Sequence, residues 1–111
     1  MNSNGFARGL MAKNSNEVDF LKHVASVVER QLKEWDEKYE VMVMKWIDYE
    51  FVVNYNDDFY HLQLSDQDIH ELQMKSPHAL DQKIWLELEK QGLTIILGYG
   101  NYLDFIFKLE R

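Results

Sequence analysis

The residues whose types and spacing could do chemistry gather between positions 61 and 78. His61, His70 and His78 are interleaved there with Asp66, Asp68 and Glu71. In a chain with no cysteine, imidazole and carboxylate are the donors left for a metal, and a histidine beside a carboxylate is the commonest general base. The spacing fits neither use. No His-Glu-x-x-His run is present, and Asp66-Gln-Asp-Ile-His-Glu71 lacks the glycine and terminal glutamate of a calcium loop. Solvated histidines near a helix start account for these residues, so no metal and no other cofactor is expected.

Nucleophiles fare no better. The five serines, Ser3, Ser15, Ser26, Ser65 and Ser76, lie in an N-terminal tail, at helix caps or on a helix, and no Gly-x-Ser-x-Gly elbow exists. Gly98-Tyr-Gly100-Asn has Leu103 where a dinucleotide loop carries its third glycine, and it reads as a hairpin turn. A carboxylate pair for acid/base work would need a cleft, which nothing in the sequence marks. No catalytic residue is assigned, and the chain is read as non-enzymatic.

Charge is the more informative feature. Twelve Lys and Arg stand against 19 Asp and Glu, a net −7. Between Lys45 and Lys75 there is no lysine or arginine, yet there are seven acids: Asp48, Glu50, Asp57, Asp58, Asp66, Asp68 and Glu71. That window holds the whole imbalance. An acidic chain has no counter-charge for phosphate backbones, so direct nucleic-acid binding is not expected. Acids of this kind cap helices and occupy turns, and they also form electrostatic docking faces.

The elements that must carry these residues follow from periodicity. Composition, 46% hydrophobic with 14% aromatic in 111 residues, fits one globular domain. Residues 1–13 read as a flexible tail, or as one docked through Phe6 and Leu10, ahead of a domain over 14–111. No apolar run reaches the roughly 20 residues of a membrane span, and the start lacks a secretory signal, so a soluble cytoplasmic protein is expected. A helix capped by Asn14, Ser15 or Asn16 buries Val18, Leu21, Val24, Ala25, Val28, Leu32, Trp35 and Tyr39 at steps of three and four.

From Glu40 the period becomes two. Two-residue turns at Asp48–Tyr49 and Asp57–Asp58 would put Met42, Met44, Trp46, Phe51, Val53, Tyr55, Tyr60, Leu62 and Leu64 on one core face. The opposite face then carries Val41, Val43, Val52 and Phe59, too much apolar surface to leave wet. Ser65 with Asp68 caps a short helix to about Lys75. Ser76-Pro77 opens another that buries Leu80, Ile84, Trp85 and Leu88 and stops at Gly92. Residues 93–107 read as a hairpin around Tyr99-Gly100-Asn101, with Leu97, Ile95 and Leu93 opposite Leu103, Phe105 and Phe107. Tyr49, Tyr99 and Tyr102 are the tyrosines expected outside.

The expected fold is α+β, a two-layer sandwich in the order α-β-β-β-α-α-β-β. Its five-stranded antiparallel sheet joins a three-stranded meander to the C-terminal hairpin, with helices mainly on one face. That order resembles type III secretion chaperone-like domains, although their final helix has no counterpart in it. The resemblance implies a small acidic dimer.

The expected function is a small acidic protein-binding module: an inhibitor, immunity-type protein, adaptor or secretion-type chaperone. Its partner-binding residues would be Asp48, Tyr49, Glu50, Asp57 and Asp58, facing a basic protein surface. Val41, Val43, Val52 and Phe59 form a possible second interface. The alternatives are a homodimer through that outer face, or a small-molecule or enzymatic pocket between helices and sheet near His61 and His70.

Overall fold

The structure, a computed structural model, describes Arg8, residues 16–97 and residues 101–110. Helix α1 (Glu17–Trp35) leads into the antiparallel meander β1 (Glu40–Lys45), β2 (Tyr49–Tyr55) and β3 (Asp58–Leu64). Helices α2 (Asp66–Lys75), α3 (Ala79–Lys90) and α4 (Asn101–Glu110) follow. No helix among the described residues is long and apolar enough to cross a membrane. Of the expected tail, Arg8 alone is described: it is helical and buried.

The helix boundaries follow local chemistry. Asn16 caps α1 by accepting the Asp19 N–H at 2.9 Å. Ser65 and Asp68 close a reciprocal capping box at the start of α2, each accepting the other's backbone N–H at 3.0 Å. Pro77 and His78 form a turn closed by the Ala79 N–H on the Ser76 carbonyl at 3.3 Å, and α3 starts later than expected, behind His78. Its end is a Schellman motif: Gly92, at φ 103°, donates to Glu89, and Leu93 donates to the Leu88 carbonyl. Leu88 and Leu93 are both buried, so the hydrophobic contact of that motif is present too.

Three expectations for the strands and the C-terminus are corrected. The β1–β2 connection is the three-residue Trp46-Ile47-Asp48, so Met44 faces Glu50 and Val43 faces Phe51. This three-residue slip is odd and turns β1 over: Val41 and Val43 pack against the core, while Met42 and Met44 point out. Both alternating sets of Glu40-Val-Met-Val-Met-Lys45 are apolar, so pattern alone could not choose between them. The β2–β3 turn is Asn56-Asp57, with Asn56 at φ 55°, a left-handed position that asparagine tolerates. That slip is even, and Phe51, Val53, Leu62 and Leu64 stay inside.

The five-stranded sheet is not formed. The sheet has three strands, Leu93–Leu97 has no regular structure, and the second half of the expected hairpin is helix α4. Tyr99 and Gly100 of the expected loop lie outside the described residues. Tyr102, Leu103, Ile106 and Phe107 are buried at helical spacing, whereas Phe105, needed inside by the hairpin, is 45% exposed. An isolated hairpin leaves two edges unpaired, while a helix satisfies its backbone within itself. The element order is therefore α-β-β-β-α-α-α, and the order behind the secretion-chaperone resemblance is not the one observed.

The core lies between the inner sheet face and α1, α2 and α3, with α4 packed on α3. Phe20, Phe51, Leu64, Ile69, Ile84 and Trp85 are among its fully buried side chains.

Candidate functional site

The turned-over β1 gives the outer sheet face its character. Met42, Val52 and His61 form one cross-strand row, and Met44, Glu50 and Gln63 form the next. Glu40, Asn54 and Phe59 form a third. Val52, on the middle strand, is 1% exposed. Around it the face is open: Met42 and Met44 are exposed, Phe59 is 59% exposed and stacks at a tilt on His61 at 5.2 Å. The β1–β2 connection adds Trp46 at 73% exposure and Ile47 at 93%. Large apolar side chains this open on adjacent elements form an unusual surface for a chain this charged.

The expected partner-binding residues are not brought together. Asp57 and Asp58 are exposed at the β2–β3 turn. Asp48 sits at the opposite end of the meander, about 20 Å away by the length of seven-residue β2. Tyr49 is buried beneath Lys45, whose Nζ lies 4.1 Å from the ring centre. Glu50 is half-buried on the outer face, with its carboxylate 3.2 Å from His61 Nδ1. Of the possible second interface, Val41 and Val43 pack against the core and Val52 is covered, leaving Phe59 exposed.

The histidines disperse as well. His61 lies on the outer face beside Glu50, and His70 lies 3.3 Å from Glu17 at the start of α1. His78 is buried edge-on to Phe105 at 5.1 Å. Among the described residues no group of three or more His, Asp or Glu could hold a metal ion. Two open hollows of about 640 and 420 Å³ adjoin β3, sharing Gln63 and Lys83. The larger sets His61 and Glu50 opposite Lys83 and Glu87. That is a base beside a carboxylate with no serine or threonine nucleophile lining either hollow.

The polar chemistry the sequence concealed is inside the protein. Asp81, fully buried on α3, accepts from both terminal guanidinium nitrogens of Arg8, Nη1 and Nη2, the second at 3.2 Å. It also accepts the Tyr102 hydroxyl, which in turn accepts Trp85 Nε1–H at 3.1 Å. Burial and the Asp81 carboxylate push the Tyr102 phenol well above its ordinary value, so it stays protonated as a donor. The set joins Arg8 to α3 and α4. A signal for it did exist: Asp81 shares its helical stripe with Ile84, Trp85 and Leu88, an acid on an apolar face.

Burial lowers the His78 pKa, opposed by Asp81 and assisted by Arg8, and burial together with Arg8 lowers that of His23. Histidines with depressed folded pKa values bind fewer protons folded than unfolded, so their stability contribution is full above about 6.5 and is lost as pH falls below it. Urea midpoints should therefore drop between pH 7 and pH 5, and His78→Gln should flatten that slope. An unchanged slope in the variant would remove His78 from this role.

Comparison with protein-family models, with curated proteins and with solved structures finds no match.

Proposed function

We propose that the protein is a non-enzymatic, cytoplasmic protein-binding module of the inhibitor, immunity-type or adaptor kind, docking a partner on the outer sheet face. The observation that carries this reading is the exposure of Met42, Met44, Trp46, Ile47 and Phe59 on that face and its adjoining turn. Exposed apolar patches of this sort mark interaction sites, tryptophan is enriched among binding hot spots, and methionine adapts to varied partners. Acids stand at both ends: Glu40, Asp57 and Asp58 near Phe59, and Asp48 beside Trp46. A fitting partner has an apolar centre and a basic rim. A second copy laid face to face would set acid against acid, so the outer face suits a different protein.

The acids serve approach more than grip. Asp57→Asn/Asp58→Asn should slow association severalfold with little change in dissociation, and wild-type binding should weaken as salt rises. Affinity capture from the native cell, followed by binding kinetics at two salt concentrations, supplies both measurements. Salt-independent binding, or capture of the same proteins by a Trp46→Ser/Phe59→Ser control, would sink the proposal.

A further inference from the structure

The two edges of the sheet are finished differently. On β3, the Gln91 side-chain amide takes both outward backbone groups of His61: its oxygen accepts the N–H at 3.1 Å and its nitrogen donates to the carbonyl at 2.6 Å. That edge is closed at its centre. On β1, Val41 turns its N–H away from β2 to the Glu29 carboxylate at 3.0 Å. Alternate residues of a strand point their backbone groups the same way, so Val43 and Lys45 also present N–H and carbonyl outward. Among the described residues no backbone group pairs with them.

We infer that β1 pairs edge to edge with β1 of a second copy, antiparallel about Val43, making one continuous sheet across a two-fold dimer. Three features of the strand support a copy of itself as occupant. First, the segment holds no proline and no bulge, and its two charges, Glu40 and Lys45, lie at its ends, so the centre of the edge is unguarded. Second, the pairing sets Val41 opposite the second copy's Lys45. That lysine, on the inner side of the sheet and 3.4 Å from Asp66 of its own chain, then approaches Glu29, which already reaches the Val41 N–H, and so stands between two carboxylates. The contact occurs twice by symmetry. Third, Met42 comes opposite the second copy's Met44 on the outer face, covering side chains that are exposed in the single chain. Roughly four backbone hydrogen bonds form even if both Glu29 carboxylates keep their Val41 N–H groups. The dimer takes Met42 and Met44 of each copy out of the open surface and leaves Phe59, on the far strand, exposed for a different partner.

Sedimentation equilibrium of the full chain, from micromolar to a few hundred micromolar, tests this. The wild type should be in monomer–dimer equilibrium. Val43→Pro removes an outward N–H without touching the β1–β2 ladder and should weaken the dimer at least about tenfold. Because Val43 also packs against the core, a charge exchange gives the second test. Lys45→Glu and Glu29→Lys should each be monomeric alone, and an equimolar mixture should dimerise, since each copy then offers the complement of the other. A wild type that is monomeric throughout, or a dimer indifferent to both Val43→Pro and the charge exchange, overturns the inference. Loss of folding in Val43→Pro leaves the mixture experiment to decide it.

Discussion

Asp81→Ala should lose about 3–5 kcal/mol of unfolding free energy, the usual cost of removing one partner from a buried ion pair. The carboxylate is wholly inaccessible and is the acceptor for Arg8 and Tyr102. Without it, the guanidinium of the buried Arg8 keeps its charge in an apolar setting, facing the Phe20 ring at 5.9 Å. The Tyr102 hydroxyl loses its acceptor at the same time. Arg8→Met should cost less, because Tyr102 still donates to the carboxylate. The pair's own contribution is a separate quantity: in Arg8→Met/Asp81→Leu both charges are gone, and most of the loss should be recovered. Urea denaturation of the four proteins reads all three effects. If Asp81→Ala remains within 1 kcal/mol of the wild type, the network does not hold Arg8, α3 and α4 together.

Trp46→Ala should behave in the opposite way, leaving stability within about 0.5 kcal/mol while costing the partner about 2 kcal/mol, a thirtyfold loss of affinity. At 73% exposure its ring makes little contribution to the folded chain, and it adjoins Ile47, which is more open still. An isothermal titration with the captured partner, beside a urea melt, separates the two quantities. Equal affinity of variant and wild type would move the docking site off the outer face. A large loss of stability would instead make Trp46 part of the fold.

The turned-over β1 is what brings Met42, Met44 and the adjoining Trp46 to the outer surface. Sequence pattern assigned Met42, Met44 and Trp46 to the core and Val41 and Val43 to the surface; the structure exchanges them. The cause is a connection one residue longer than the two-residue turn expected, together with a strand apolar on both alternating sets. The hallmark of an exposed face is polarity, and neither face of β1 has it. At the C-terminus, alternation of Leu103, Phe105 and Phe107 suggested a strand, while Tyr102, Leu103, Ile106 and Phe107 equally fit a helix. Short apolar runs satisfy both periods, and packing on α3 decided for the helix.

Local chemistry was enough wherever a rule acts within a few residues. The amphipathic α1, the Ser65–Asp68 capping box, the Gly92 terminus, and the existence of three meander strands all follow from residues within one or two turns of each other. The charge imbalance was equally plain, as was the lack of any catalytic or metal-binding motif. Tertiary structure alone decided which face of β1 is wet and that Arg8 meets Asp81 across 73 residues. Each depends on how elements distant in sequence share one core. An odd or even slip, or one acid within an apolar stripe, changes the outcome there without changing the local pattern.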